Sequence, residues 1–284
     1  MLLEIENLRG GYGGADIVKD VSCAADEGEI LCLVGPNGCG KTTLFRLILG
    51  MIRITGGRIR IGGKETLGLS PKALANLVAY IPQHHTPIFA YTALDIVIMG
   101  RAVHFSAFEA PKPADRDAAF AALEKLDSLY LANRKYTSLS GGQRQMILIA
   151  RAICQSAKVF VMDEPGASLD YANQQLLMDV VTDLAARGYC VIMSTHSPEH
   201  PASIGHKVLL MRDGQAAAFG KPADVITPEI LESVYGIEMD VASVKDRYGV
   251  KRTICLPVKN GKRSLKEEHT CSHPNVFASR TSGL

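Results

Sequence analysis

The sequence lacks any long apolar run, which excludes a chain that crosses a membrane by itself. No stretch approaches the roughly 18 consecutive apolar residues that a membrane-spanning helix needs. Residues 1–6 have neither the basic start nor the apolar stretch of a secretory signal peptide. We therefore expect the protein to stay in the cytoplasm and to serve a membrane only through a partner.

Paired cysteines are missing, although cysteine itself is not. The seven cysteines are scattered without a Cys-x-x-Cys pair, and several of them lie in apolar segments. Reduced thiols in the core fit this distribution better than disulfides.

Neither sign of charge dominates over most of the chain, and the net charge is only +2. The exception is the end of the sequence, because residues 241–284 carry nine Lys or Arg against three Asp or Glu. A basic segment of this kind contacts anionic lipid or nucleic acid in some proteins and is a solvated terminus in others. We expect no nucleic-acid partner, and we predict a basic extension over residues 237–284 with a mobile end.

Strand-like and helix-like segments alternate along the chain, which predicts an α/β fold with a mainly parallel sheet. Residues 30–34, 159–162 and 190–194 are continuous apolar runs of the buried-strand type. Residues 208–211 and 215–219 indicate a hairpin that turns at an Asp-Gly pair.

The strand signals vanish between residues 83 and 150, and a helical period replaces them. We predict a helical subdomain at about residues 84–150, inserted in the α/β core. Within it we expect a helix over residues 114–129 that presents Phe120, Leu123, Leu126 and Leu129 on one face.

A glycine-rich segment follows the first buried run. Residues 35–43 fit the pattern G-x-x-x-x-G-K-[ST] between a predicted strand and a predicted helix over residues 41–49, which is the setting that a phosphate-binding loop requires. Lys41 supplies a cation for the β- and γ-phosphates, and the Thr42 hydroxyl is a ligand for Mg²⁺. We predict ATP and Mg²⁺ as cofactors, bound at Gly35, Pro36, Asn37, Gly38, Cys39, Gly40, Lys41, Thr42 and Thr43.

Two adjacent carboxylates follow the apolar run at residues 159–162. Two adjacent carboxylates can simply be part of a solvated turn. Because this sequence also contains a phosphate-binding loop, we expect them to have functional roles. We expect Asp163 to complete the magnesium site and Glu164 to accept a proton from the attacking water.

A second candidate anion site lies at residues 139–143. Ser140, Gly141 and Gly142 open a predicted helix, whose free N–H groups and dipole favour phosphate. An ordinary glycine N-cap is the alternative. If both helix starts bind phosphate, a single ATP can use both only when two chains meet head to tail.

These motifs together resemble those of the ATP-binding cassette (ABC) ATPases over about residues 2–236. The markers stand in the family's order: the phosphate-binding loop, Gln83 as the Q-loop, residues 139–143 as the signature, residues 159–164 as Walker B, residues 168–170 as the D-loop, and His196 as the switch. The resemblance implies a P-loop NTPase cassette with a RecA-like, mainly parallel sheet, an antiparallel β part and the inserted helical subdomain. It also implies an ATPase domain over residues 1–236.

The resemblance implies roles for residues that act within one chain. Tyr12 would stack on adenine, where an aromatic face contributes about 1–3 kcal/mol. Gln83 would sense Mg²⁺ and the attacking water, and His196 would contact the γ-phosphate and hold Glu164 and the water in line. The expected catalytic residues are Glu164, His196, Gln83 and Lys41, and the expected metal ligands are Thr42, Gln83 and Asp163.

Other roles implied by the resemblance act across a dimer. The signature residues would close on ATP held by the second chain, and Asp170 would cross the interface. The signature residues are Ser140, Gly141, Gly142 and Gln143. Two departures from the family pattern, Gly166 after Asp-Glu-Pro and Ser-Pro-Glu at residues 197–199, remove no catalytic atom.

Two further segments resemble one branch of the family. Residues 89–101 and 231–237 are similar to segments of the uptake ATPases for iron-siderophores, haem, cobalamin and molybdate or tungstate. The resemblance implies an ATP-hydrolysing importer subunit, peripheral at the cytoplasmic face of the cell membrane, that takes up a metal chelate or an oxyanion. A soluble ABC ATPase without a permease and a non-catalytic regulatory cassette are the alternatives.

The partners implied are a second copy of the chain, an integral membrane permease dimer and, indirectly, a substrate-binding protein. We expect the permease to contact the groove beside Gln83 and the stretch that follows it, as far as Arg101. Cys39 stands inside the phosphate loop, so we also expect a thiol alkylator to inactivate the protein and ATP to protect it.

Overall fold

The strands of the computed structural model form three sheets, and the structure describes residues 1–83, 89–105 and 109–258. The strands are β1 Leu3–Tyr12, β2 Ala15–Ala25, β3 Ile30–Val34, β4 Ile54–Ile61, β5 Lys64–Glu65, β6 Val78–Ile81, β7 Val159–Met162, β8 Cys190–Thr195, β9 Lys207–Arg212, β10 Gln215–Gly220, β11 Met239–Lys245 and β12 Lys251–Pro257. The α-helices are α1 Lys41–Ile48, α2 Pro71–Ala75, α3 Ala93–Ile98, α4 Pro113–Glu124, α5 Gly141–Gln155, α6 Tyr171–Ala186, α7 Glu199–Ile204, α8 Pro222–Val225 and α9 Pro228–Tyr235. Short 3₁₀ helices cover Met99–His104, Leu129–Leu131 and Tyr136–Ser138.

The largest sheet has the strand order β10-β9-β3-β8-β7-β6. Its strands are parallel except for β10, which pairs antiparallel with β9 at one edge. The central strands are buried on both faces, which explains their continuous apolar sequences. Alternate residues of β3 serve two cores: Cys32 and Val34 pack on the side of α5 and α6, whereas Leu31 and Leu33 pack on the side of α1 and β1.

The hairpin of β9 and β10 turns where the sequence predicts it. Asp213 and Gly214 adopt φ angles of 50° and 82°, as a two-residue hairpin turn requires. This turn also contacts the phosphate loop, because the Gly214 N–H donates to the carbonyl oxygen of Cys39 at 3.0 Å.

An antiparallel sheet with the order β2-β1-β4-β5 covers the other side of α1. The helices α3, α4 and α5 pack against one another and form the helical part between β6 and β7. The predicted fold class is confirmed by this arrangement. The predicted subdomain boundaries of 84 and 150 and the domain end at 236 stay predictions.

The predicted helix over residues 114–129 is wrong in its length and right only in part about its buried face. Helix α4 ends at Glu124, and Asp127 turns the chain with a φ angle of 49°. The buried face of α4 is formed by Ala119, Ala122 and Leu123, whereas Phe120 is exposed. Leu123 is buried as predicted, whereas the rest of this contact is made by small alanines, which carry little hydrophobic signal.

A β-hairpin of β11 and β12 follows α9, and we had not predicted it from the sequence. The predicted mobile end of the extension, from residue 259 onward, lies outside the described residues. Among residues 1–83, 89–105 and 109–258, no helix has the length and the apolar character to cross a bilayer.

Candidate functional site

The loop between β3 and α1 forms the first half of the site. Gly35, Gly38 and Gly40 adopt φ angles of 153°, 80° and 107°. A Cβ on Gly35 would lie 2.2 Å from the carbonyl oxygen of Met211, so only glycine allows the loop to approach β9 this closely. No side chain caps α1, which leaves the N–H groups at its amino terminus available to an anion.

Lys41 lies under this loop and is only 6% exposed. Its Nζ donates to the carbonyl oxygens of Gly35 at 2.7 Å and Pro36 at 3.2 Å. A cleft opens beside it, and it is lined by Ile17, Asn37, Gly38, Gly40, Lys41, Thr42, Thr43 and Glu164. Six of the nine predicted phosphate-loop residues and the predicted proton acceptor therefore line one cleft.

The two acids after β7 are both tied to Ser194 on the neighbouring strand. The Ser194 hydroxyl donates to Asp163 Oδ1 at 2.8 Å and accepts the N–H of Glu164 at 2.8 Å. Glu164 adopts a φ angle of 46°, which non-glycine residues seldom do. Strain of this kind is characteristic of functional sites, and here a fully buried serine maintains it.

The carboxylate of Glu164 is contacted by two side chains that follow neighbouring strands. Gln83 Nε2 donates to its Oε2 at 3.0 Å, and His196 Nε2 lies 2.6 Å from the same oxygen. Gln83, Glu164 and His196 follow β6, β7 and β8, which are adjacent parallel strands. The structure thus brings three of the predicted catalytic residues together on one oxygen atom.

Sequence reasoning missed two residues that fix the switch segment. Thr195 Oγ1 lies 2.7 Å from His200 Nδ1 and also accepts the N–H of Ser197 at 3.2 Å. Burial lowers the pKa of His200, which Glu199 opposes, and this favours the neutral form of the ring. The only available signal was the unusual sequence after His196.

Tyr12 stands at the end of β1, and its ring is held at the hydroxyl. Arg46 Nη1 donates to the Tyr12 hydroxyl at 2.6 Å, and the guanidinium carbon lies 5.8 Å from the ring centroid. The guanidinium of Arg46 thus lies over the Tyr12 ring and also binds its hydroxyl. Tyr12 is 41% exposed, as a stacking surface for a base would be.

The signature segment forms a capped helix start. Ser140 Oγ accepts the N–H of Gln143 at 3.3 Å, and Gln143 Oε1 accepts the N–H of Ser140 at 3.1 Å. Ser140, Gly142 and Gln143 line a cleft with residues of α6, and none of them lines the cleft of the phosphate loop. Within one chain the two predicted phosphate sites are therefore separate.

Asn173 joins the signature to the D-loop. Its Nδ2 donates to Asp170 Oδ1 at 2.9 Å, and its N–H donates to the same oxygen at 2.8 Å. A Cβ on Gly142 would lie 2.3 Å from Asn173 Oδ1. The two elements predicted to act on the second chain are thus in direct contact.

Cys39 lies in the phosphate loop but not on its surface. The residue is 4% exposed, and burial raises the pKa of its thiol against the opposing effect of Lys41. A thiol reagent therefore meets a protonated, covered sulfur. The predicted inactivation by alkylation stays a prediction, with a slow reaction expected.

An open groove lies where the helical part meets the parallel sheet. Gln155 Nε2 donates to the carbonyl oxygens of Ala75 and Val78, and Arg151 Nη2 donates to that of Tyr80 at 3.2 Å. Above these contacts the groove is lined by residues that include Gly50, Ile54, Leu69, Leu74, Met99 and Gly100. Part of the stretch predicted to contact the permease therefore lines the groove, whereas residues 84–88 lie outside the described residues.

Comparisons with known proteins agree with this geometry. The family model described as ABC transporter matches residues 18–167. The chain is 38% identical over 240 residues to the molybdate import ATP-binding protein MolC of Haemophilus influenzae, which covers 84% of this chain and 89% of that protein. It is 34% identical over 259 residues to the hemin import ATP-binding protein HmuV of Thermobifida fusca, which covers 91% of this chain and 89% of that protein.

Solved structures share the same architecture. One is described as an inward-facing conformation of a metal-chelate type ABC transporter, and it matches with a TM-score of 0.82 and 34% identity over 92% of this chain and 98% of that one. Another, an ATP-binding cassette in its ADP conformation, matches with a TM-score of 0.75 and 26% identity over 82% of this chain and 98% of that one.

Proposed function

The chain belongs to the ABC transporter family, and from that premise we propose that it is the ATP-hydrolysing subunit of an importer for a metal chelate or an oxyanion. The family makes the chain an ATP-binding subunit and an ATPase. The observation that carries the proposed mechanism is the meeting of Gln83 and His196 on the Glu164 carboxylate, beside the phosphate loop.

We assign the activation of the attacking water to the Glu164 carboxylate. Glu164 would take a proton from the water that attacks the γ-phosphate. The hydrogen bonds of Gln83 and His196 orient the carboxylate, and the backbone of Glu164 is fixed through Ser194. Lys41 would exchange the carbonyl oxygens of Gly35 and Pro36 for phosphate oxygens, which offer its ammonium group a full negative charge.

The oxygen atoms near the cleft fit a magnesium ion. The Thr42 hydroxyl, the Asp163 carboxylate and the Gln83 amide are hard oxygen donors, which Mg²⁺ prefers. Among the described residues, no group of three or more His, Cys, Asp or Glu side chains is suited to a metal. Phosphate oxygens of ATP and water would supply further ligands, and the ion would neutralise charge that develops on the phosphates.

We propose that two copies of the chain complete each ATP site. The phosphate loop and the signature helix start line separate clefts in one chain, and each stands at the amino terminus of a helix, where the dipole favours an anion. A head-to-tail pair would place Ser140, Gly141, Gly142 and Gln143 of one copy on ATP held by the other, with Asp170 at the interface. ATP would then favour the closed pair, and hydrolysis would release it.

The groove beside the helical part is the proposed contact for the permease. It is open and partly apolar, and the hydrogen bonds of Arg151 and Gln155 tie its two walls together. A permease segment seated there would sense the movement of the helical part relative to the sheet. Through this contact the protein would lie at the cytoplasmic face of the membrane.

The substrate class rests on the relatives. MolC is named for molybdate import and HmuV for hemin import, and a further relative from Helicobacter pylori, 33% identical over 242 residues, is named for iron chelatin transport. We propose that the cargo belongs to this range of metal chelates and oxyanions, delivered to the permease by a substrate-binding protein.

Uptake by whole cells tests the proposal. Cells with and without the gene would be given labelled molybdate, haem, ferric siderophore and cobalamin, and a Lys41→Ala variant would serve as the hydrolysis-deficient control. We expect the uptake of one compound to require the intact gene. Equal uptake of all four in every strain would favour an ABC ATPase that serves no such importer.

A further inference from the structure

The β-hairpin of β11 and β12 lies outside the predicted ATPase domain, yet it contacts the segment that carries His196. Met239 is buried at its start, and Val241 and Cys255 pack against the main core. The N–H of Val258 donates to the carbonyl oxygen of Glu238 at 2.9 Å and closes the base of the hairpin. The hairpin is therefore anchored to the core.

Its target is α7, the six-residue helix that begins at Glu199. A helix this short is not stable by itself and depends on tertiary contacts. Strand β12 packs against α7, and the N–H of Cys255 donates to Glu199 Oε1 at 3.2 Å. The carboxylate in the first turn of α7 is thus bound to the backbone of the hairpin.

A second contact reaches the switch histidine itself. The Tyr235 hydroxyl, at the end of α9 and directly before the hairpin, makes a long hydrogen bond of 3.5 Å to the carbonyl oxygen of His196. Burial raises the pKa of Tyr235 to about 12, so the hydroxyl keeps its proton and remains a donor. On the other side, His200 and Thr195 join α7 to the end of β8.

These contacts enclose the switch segment between a core strand and the hairpin. We propose that Glu199 and Tyr235 are positioning residues for His196, and that the β11–β12 hairpin holds α7 so that His196 stays on the Glu164 carboxylate. The inference rests on the proposed catalytic role of His196. The hairpin contacts the switch segment through α7, so we expect its loss to slow the chemical step without weakening ATP binding.

Full-length point variants test this contact from both ends. Glu199→Ala removes the acceptor, whereas Glu199→Gln keeps an oxygen at Oε1. Cys255→Pro removes the donating N–H, and proline is tolerated because this N–H points to α7 and not to β11. Cys255→Ala keeps the N–H and is the matched control, and Glu232→Ala, on the exposed face of α9, controls for the loss of a carboxylate.

We expect Glu199→Ala, Cys255→Pro and Tyr235→Phe each to lower kcat about three- to tenfold, since catalysis is sensitive to small displacements, with KM for ATP unchanged. Glu199→Gln should retain most of the activity, and Cys255→Ala and Glu232→Ala should match the wild type. The double variant of Glu199→Ala and Cys255→Pro should be no slower than either single variant, because both substitutions remove the same hydrogen bond.

The His196→Ala variant in the same assay distinguishes a failure of the positioning role from a failure of the proposed role of His196 in hydrolysis. If His196→Ala is inactive while Glu199→Ala and Cys255→Pro keep a wild-type kcat and remain folded, the positioning role is wrong and the proposed mechanism stands. If His196→Ala hydrolyses ATP at the wild-type rate, both are wrong. An increase in KM with an unchanged kcat would also overturn the positioning role.

Discussion

At the scale of single residues, Glu164 is the point on which the site depends. Its left-handed backbone is held by Ser194, which also binds Asp163, so one hydroxyl fixes the two acids relative to each other. Replacing Ser194 with alanine would leave a buried carboxylate and a strained backbone without their partner, which costs about 1–3 kcal/mol. The functional groups are thus positioned by the strand that carries the switch histidine.

Cys39 gives a prediction about chemical reactivity. Because burial raises the pKa of its thiol, the thiolate fraction at pH 8 is below that of an exposed cysteine and increases as the pH rises. We expect iodoacetamide to modify Cys39 at least about tenfold more slowly in the folded protein than in urea. Mass spectrometry of the peptide that contains residue 39 measures this, and equal rates in the two conditions would contradict the buried position.

At the scale of elements, the contact between α5 and α6 sets the relation of the signature to the D-loop. A Cβ on Gly142 would overlap Asn173 Oδ1, whereas a Cβ on Gly141 would make an ordinary contact of 3.5 Å with Leu169. Gly142→Ala should lower the free energy of unfolding by about 1–3 kcal/mol through overpacking. Gly141→Ala should not, since alanine favours a helix.

The overlap has a specific partner, which allows a second check by urea unfolding. Adding Asn173→Ala to Gly142→Ala removes the colliding amide and should restore part of the lost stability. If Gly142→Ala is as stable as the wild type, the two elements are not packed as described.

A second prediction at this scale concerns acid stability. The N–H of Lys112 and the side chain of Arg101 lower the pKa of Asp115 below its ordinary 3.8, and this carboxylate joins α4 to the 3₁₀ helix at residues 99–104. A lowered pKa in the folded state means that the stabilisation is present above the ordinary value and is lost as the pH falls through the folded value.

Asp115→Asn should therefore be less stable than the wild type at pH 7, and the difference should shrink as the pH falls below about 4. Urea unfolding over a pH series measures it, with the exposed Asp117→Asn as the control for the change in charge. A difference that stays constant with pH would show that Asp115 stabilises the fold by shape alone.

The elements also show what the sequence reveals and what it hides. Strands β3 and β7 match their predicted bounds because strands buried on both faces are continuous apolar runs that end at turns. Helix α4 was mispredicted because its contact is made by Ala119 and Ala122. The β11–β12 hairpin was missed because its strands are largely exposed. The pair of Thr195 and His200 was missed because a single hydrogen bond leaves no periodic pattern in the sequence.

At the scale of the whole molecule, the separate clefts of the phosphate loop and the signature are the reason for our proposal that two chains complete each ATP site. The first cleft holds the lysine and the carboxylate, and the second holds a capped helix start. A second copy would bring one to the other. The groove near Arg151 is the surface of each copy that we propose for the permease.

The most direct test is sedimentation of the Glu164→Gln variant with Mg²⁺ and ATP. The variant keeps the phosphate loop and the signature but cannot accept the proton, so we expect hydrolysis to fall about 10²- to 10⁴-fold and the nucleotide to persist. The account predicts a stable dimer with ATP and a monomer with ADP. A variant that binds ATP and remains a monomer would contradict the claim that two chains share each nucleotide.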